Sequence, residues 1–272
     1  MNEHPSKSLR QAVDKRYRQL APRLQHLPPS GSRPLTVSGR VSGWITSRAT
    51  RALVEAPGVS VLDEAVCVSA AGQRRPMNLV LENIAYTLKE AGCLRGWRGE
   101  LLDVIGEGRR LGAIERVALR PLGLLTRAVH LNAWTPQGKL WIALRSSSKA
   151  TDPGMWDTLV GGLAVAGESL DASLLRESNE EAGLEPDDLK DRSPLRTILR
   201  MHRRLPEGYQ VEDVLVSDCV LDESVSLRNL DGEVDEFRAV SVDEALGLMH
   251  EGRFTVEAEL VVLDSFRLRW PG

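Results

Sequence analysis

The clearest periodic signal in the chain lies between residues 78 and 91, where Val80, Leu81, Ile84 and Leu88 repeat at helical spacing. Asn78 is the expected N-cap and Gly92 the expected stop of a helix that buries one face in a core. A polar helix is predicted over 8–26, ended by Pro28-Pro29-Ser30-Gly31. Strand-like runs punctuated by Gly and Ser predict strands at 36–45, 59–68 and 100–105. Leu111 to Arg120 reads as a short helix ended by Pro121. After the Pro/Gly connection at 120–125 the pattern turns strand-rich. Runs at 130–134 and 139–144 flank the turn Thr135-Pro136-Gln137-Gly138, which predicts a hairpin, and a short apolar strand leads into Gly161-Gly162. Helices are predicted at 169–182 and 242–250, and strands at 211–221 and 234–241.

Length adds that 272 residues make one large or two modest domains, at roughly 100–200 residues per domain. With 35 basic and 38 acidic residues the formal net charge is −3, which argues against a dedicated nucleic-acid-binding module or a polybasic membrane anchor. No apolar run approaches the ~18 residues of a membrane span, and the first twenty residues are polar, so a cytoplasmic protein is expected. Cys67, Cys93 and Cys219 are far apart and form no C-x-x-C pair, so neither a disulfide framework nor a thiolate zinc site is expected. The charge is uneven: residues 1–125 hold 19 basic and 11 acidic side chains, the remainder 16 and 27. Such opposed halves suggest two differently employed parts, the basic one supplying arginines to an anionic substrate beside an acidic site.

The chemistry concentrates in Gly162 to Leu184, GLAVAGESLDASLLRESNEEAGL. Ser169 is placed to cap the helix, Asp171 favours its first turn, and Gly183 followed by Pro186 ends it. Glu177, Glu180 and Glu181 stand at i, i+3 and i+4 and share one arc of about 100°. Leu170, Leu174, Ser178 and Ala182 form the neighbouring arc, expected to pack on a sheet. Three crowded carboxylates with one nearby cation, Arg176, repel one another, and a hard divalent cation resolves that repulsion. A pairing of Glu168 with Arg176 would fix the loop and aim the carboxylates.

Position by position this segment resembles the Nudix box, with Gly162, Glu168, Arg176, Glu177, Glu180, Glu181 and Gly183 in register and Ser178 departing where an apolar residue is usual. The resemblance covers roughly 125–260. It implies an α/β Nudix fold, an α/β/α sandwich with a mixed sheet, preceded by a smaller α+β N-terminal domain, so that 1–124 and 125–272 are the expected domains. It implies hydrolysis of a diphosphate linkage in a small organic or nucleoside diphosphate by attack of water on phosphorus. On this chain Glu177 and Glu181 would be the principal Mg²⁺ ligands, with Mn²⁺ able to substitute. Glu180 would be a further ligand or the base, with Glu177 also counted as catalytic, and the carbonyl of Gly161 or Gly162 would complete the coordination. A later carboxylate is expected from Glu233 or Asp231, with Glu212 behind them. Arg145 and Lys149 are the expected diphosphate clamps, and His130 is read as a core or strand-end histidine in preference to a substrate contact.

A narrower resemblance reaches into the first part. Trp97-Arg98-Gly99-Glu100, Ile114-Glu115-Arg116, Pro121-Leu122-Gly123, His130-Leu131-Asn132 and Pro153-Gly154-Met155-Trp156-Asp157 are similar to a two-part subgroup labelled thiamine pyrophosphokinase-related. That implies thiamine diphosphate analogues or ADP-ribose-like substrates, with the N-terminal domain serving specificity or dimerisation, and a homodimer. Two alternatives share the box. An isopentenyl diphosphate isomerase calls on a catalytic cysteine, and a non-catalytic regulatory Nudix protein commonly loses box glutamates that this chain keeps.

Overall fold

Two tight turns set the architecture of the first part, and both depend on residues that accept a positive φ. Ser38-Gly39 (51° and 75°) and Glu107-Gly108 (49° and 75°) each fold the chain back into a β-hairpin. The computed structural model describes residues 7–71, 76–149 and 151–269. Helix α1 (Lys7–Leu20) runs into a 3-10 turn at Ala21–Leu24, because Pro22 stops the predicted longer helix. There follow β1 (Arg33–Val37), β2 (Arg40–Ile45), α2 (Ser47–Ala52), β3 (Val59–Val61), β4 (Val66–Val68) and α3 (Met77–Glu90). The single strands expected at 36–45 and 59–68 are thus two antiparallel pairs, in a four-stranded sheet of order β2-β1-β4-β3. Helix α3 lays Val80, Leu81, Ile84 and Leu88 on that sheet, against Leu35, Val37, Val66 and Val68.

The segment expected to be a helix over 111–120 is instead mostly a strand. β5 (Leu101–Gly106) pairs with β6 (Arg109–Glu115), and only the short α4 (Leu119–Leu122) is helical beyond a 3-10 turn. Gly112 lets β6 approach α3, where a Cβ would lie 2.6 Å from Leu81 Cδ1. Asn78 is not the cap of α3, a place held by Pro76; inside the helix its Oδ1 accepts the Ala113 N–H at 3.0 Å.

The second part is built on β7 (Leu125–Trp134), β8 (Leu140–Arg145), β9 (Trp156–Thr158), β10 (Val160–Leu163), α5 (Leu170–Ala182), β11 (Arg196–Leu205), β12 (Gly208–Val220), β13 (Val234–Val240), α6 (Val242–His250) and α7 (Val256–Arg269). The sheet runs β11-β12-β7-β8-β13, with β10 on β7 and β9 on β8. β12 is parallel to β7 and the other pairs are antiparallel, so the sheet is mixed. β7 is buried on both faces, which suits a central strand. Val129, Leu131 and Ala133 meet Leu174 and Ala182 of α5, and the opposite layer packs Trp134, Val214 and Val216 with α6 and α7. The result is an α/β/α sandwich preceded by an α+β part. Helix α1 belongs to the second core: Val13 and Leu20 pack there, Arg16 pairs with Glu259, and Arg267 reaches Asp14 at 2.8 Å.

Candidate active site

The box loop and helix are fixed by local chemistry. Ser169 accepts the Ala172 N–H at 3.1 Å, and Gly183, at φ 65°, ends α5 with its N–H on Asn179 O at 2.9 Å. Arg176 is the hub. Its Nε donates to Glu168 at 3.1 Å, its Nη1 to Glu177 at 2.8 Å and to Glu180 at 3.1 Å, and its Nη2 to the Leu163 carbonyl at 3.2 Å. Glu168 also takes the Ser173 hydroxyl at 2.8 Å. Burial works against its charge, but Arg176 and Ser173 hold its carboxyl below the ordinary range.

Glu177 lies against Gly162 so closely that a Cβ there would stand 2.0 Å from the Glu177 Cδ. Burial raises the Glu177 pKa in spite of Arg176. Glu180, one turn on, keeps nearly half of its side chain exposed. Glu181 turns inward, where it accepts the Gly161 N–H at 2.8 Å and Lys149 Nζ at 3.1 Å, and burial pushes it up to about 7.

Backbone bonds from Arg228 N to Ala182 O (2.9 Å) and Leu230 N to Glu180 O (3.0 Å) bring a later loop to the end of α5. The loop delivers Asp231 and Glu233, whose carboxylate oxygens and one of Glu181 lie within 4.8 Å of one another. Lys149 joins the group, 2.5 Å from Glu233. Burial lowers the Lys149 pKa, but Glu181 and Glu233 outweigh it and raise it. The donors are all hard carboxylate oxygens, which fits a Mg²⁺-type ion, with Glu177 adjoining them across Gly162.

The expected clamps are both engaged. Arg145 donates to Asp157 at 2.7 Å and to the carbonyls of Thr151 and Asp152, so it braces the loop before β9. Lys149 neutralises Glu181 and Glu233. Glu212 is not with Asp231 and Glu233: it sits on β12, taking Thr126 Oγ1 at 2.6 Å and Gln210 Nε2 at 2.8 Å.

These groups open onto a cleft of about 500 Å³, within the range of small-molecule sites. The same cleft holds residues with no motif in sequence, beginning beside Gly161, where a Cβ would lie 3.0 Å from His130 Nδ1. His130 Nε2 lies 3.0 Å from Glu257, and its Nδ1 lies 3.1 Å from Thr158 Oγ1. That hydroxyl donates to the Val160 carbonyl at 2.8 Å, which leaves its oxygen able to accept from Nδ1. Burial alone would lower the His130 pKa, but Glu257 outweighs it and raises it. Glu257 and Glu212 hydrogen-bond to each other, and burial together with that neighbour pushes Glu212 up to about 7. Gln210 is buried, and its Oε1 has no hydrogen-bond partner. Glu257 escaped notice because its helix, α7, spreads charged residues such as Glu257, Glu259, Asp264 and Arg267 around its faces and shows no apolar stripe.

The first part supplies the facing wall: Arg98, Glu100, Arg116 and Arg120 line the same cleft. Ala166 of the box loop donates to the Leu101 carbonyl at 2.8 Å, and Leu163 and Val165 pack on the N-terminal core. Trp97-Arg98-Gly99-Glu100 and Ile114-Glu115-Arg116 stood out in the sequence, but nothing there gave them a place.

The chain is 27% identical to Nudix hydrolase 20, chloroplastic, of Arabidopsis thaliana over 85% of its length, and 28% identical to Nudix hydrolase 24, chloroplastic, of the same plant over 87%. Those matches cover 66% and 67% of the plant proteins, so this chain spans about two thirds of their length. Among solved structures, DR0079 from Deinococcus radiodurans is 26% identical, covering 60% of this chain and 97% of its own, with a TM-score of 0.46. Residues 124–260, from just before β7 into α7, match the NUDIX domain, and with half of its length in that match the chain belongs to the NUDIX family.

Proposed function

We propose that this protein is a Mg²⁺-dependent hydrolase of a diphosphate linkage in a small organic or nucleoside diphosphate. The observation that carries this reading is the convergence of Glu177, Glu180 and Glu181 with Asp231 and Glu233 at the mouth of a ligand-sized cleft. Glu181, Glu177 and the later carboxylates would hold the metal, beside the Gly161-Gly162 backbone. The metal, with Mn²⁺ able to substitute, supplies charge neutralisation on the phosphates and acidifies the attacking water. Glu180, the most exposed of the three, accepts the water proton as the new P–O bond forms and the anhydride P–O bond breaks, leaving two phosphate-ended products. Arg176 holds Glu177 and Glu180 in place for that transfer.

The organic part of the substrate is read as that of a thiamine diphosphate analogue or an ADP-ribose-like molecule, in line with the two-part subgroup. The unpartnered Gln210 Oε1 and the polar floor around Glu212 and Glu257 support a leaving group that hydrogen-bonds. The isomerase alternative is disfavoured because none of the three cysteines lines the cleft, and burial pushes the Cys219 thiol up to about 12. Cytoplasmic placement and a homodimer complete the reading; among the described residues no helix is long and apolar enough to cross a membrane. The deciding experiment incubates pure protein with ADP-ribose, thiamine diphosphate and its oxidised analogues, dinucleoside polyphosphates and isopentenyl diphosphate. Release of a monophosphate that needs Mg²⁺ or Mn²⁺ is expected; binding without cleavage of any of them would replace the hydrolase by a regulatory role.

A further inference from the structure

We infer that the N-terminal part completes the active site, with Arg98 and Arg116 gripping the diphosphate in place of Arg145 and Lys149. The inference rests on the hydrolase reading only in taking the ligand to be a diphosphate. Of the cations that line the cleft, Arg120, Arg145, Lys149 and Arg176 each contact a carboxylate on the protein, and Lys149 and Arg176 are shared between several. Arg98 and Arg203 are different, since neither guanidinium has an ion-pair partner among the described residues; of the two, Arg98 is the more exposed and the one that the first part supplies. Arg116 pairs only with Glu100, at 2.7 Å, and both partners are substantially exposed. Such a surface pair is weakly held and exchanges readily for a more highly charged phosphate.

The two arginines are held where a diphosphate has to lie. Glu115, almost fully buried, accepts the backbone N–H groups of Arg98 (2.9 Å) and Gly99 (3.1 Å), and Arg116 N donates to Glu100 O at 2.8 Å. The 98–100 segment and the end of β6 are thereby locked together. The β5–β6 hairpin is in turn fastened to the box loop through Ala166 and Leu101. The charge of Arg116 falls on both Glu177 and Glu233, the two sides of the carboxylate group described above. A cationic wall from one part thus faces an acidic, metal-type site from the other, and an anion bridged by metal ions fits between them.

The test is calorimetric titration of the full chain with methylenediphosphonate, a diphosphate that water cannot cleave, in Mg²⁺ buffer. Arg98→Ala and Arg116→Ala should each weaken binding about 10-fold. Arg116→Lys, which keeps the charge and loses the fork, should fall between Arg116→Ala and the parent. Arg109→Ala, on the same hairpin and outside the cleft, should bind within about 2-fold of the parent and controls for folding and net charge. On whichever diphosphate is cleaved, the Arg98 and Arg116 variants should raise KM and leave kcat within about 3-fold. Absence of methylenediphosphonate binding by the parent, or equal binding by parent and both alanine variants, overturns the assignment. If binding follows the arginines while no diphosphate is ever cleaved, the assignment stands and the hydrolase reading falls.

Discussion

Two groups of carboxylates in the cleft, one in the box and one at the floor around His130, meet the same electrostatic problem differently. In the box, Glu168, Glu177, Glu180, Glu181 and Glu233 share two cations, Arg176 and Lys149, and every one of these carboxylates touches a positive nitrogen. Around Glu212 and Glu257 only His130, among the described residues, makes a direct ion pair, with Glu257, and Arg120 and Arg203 act on the two acids from further off. In the box cluster burial raises Glu177 and Glu181 while Arg176 and Lys149 oppose it, and Glu168 and Glu233 are held below the ordinary range, so further positive charge can be taken up. At the floor a proton is retained, so it presents hydrogen-bonding groups with little net charge. Both clusters have cationic partners, so it is how directly those cations touch the acids, set against burial, that decides whether a cluster keeps its charge or takes up a proton.

The sharpest break of that contrast is Glu181→Gln, which removes a proposed metal ligand and leaves the side chain's shape. Turnover of the cleaved diphosphate should drop by about 100-fold or more, and Mn²⁺ affinity measured by paramagnetic resonance should fall with it. An unchanged rate would remove Glu181 from the site. Next is Gly162→Ala: the new methyl collides with Glu177, so kcat should fall at least about 10-fold and stability by about 1–3 kcal/mol, read by denaturant titration.

The floor answers to pH. The Glu212 carboxyl titrates higher in the folded chain than in the unfolded one, so its contribution is complete below the ordinary carboxylate pKa and is lost as pH rises through about 7. Glu257, Thr126, Gln210, His130 and Arg120 are the polar neighbours that set this balance. Glu212→Gln mimics the protonated acid. Its Tm should fall less than the parent's between pH 5 and pH 8, with a residual slope left by Glu181 and His130, whose folded values are also raised. Parallel Tm curves would mean that Glu212 is ionised throughout. The smallest effect belongs to Ser178, fully buried with an unpartnered hydroxyl. Ser178→Ala should gain about 1 kcal/mol, a Tm rise of about 2–4 °C, with kcat unchanged.

The same two groups show what a sequence makes legible. The box group is local: Ser169, Arg176, Glu177, Glu181 and Gly183 are joined through one helix whose spacing alone puts the carboxylates on one arc. The floor joins Thr126, His130, Gln210 and Glu257 from three elements, and each of these residue types alone is commonplace. β11 was missed because its arginines and histidine interrupt the apolar alternation of an edge strand whose charges are met by Asp213 and Asp218 on β12. The helix expected over 111–120 lost to the Glu107-Gly108 turn, which commits the following residues to pair with β5. Arg98 and Arg116 were visible as residues, but their role depends on the docking of two parts that share no pattern.

Helix α1 carries a consequence for the order of assembly. Arg16 and Glu259 are 243 residues apart, yet they pair, and Val13 and Leu20 enter a core completed by α7. A chain made from its N-terminus exposes those apolar side chains until nearly all of the remainder has been synthesised. Closing so long a loop slows the step far more than it weakens the final contact. Helix α1 is therefore made long before the helix it docks on, and a circular permutant that carries α1 after α7 would turn this long-range contact into a local one.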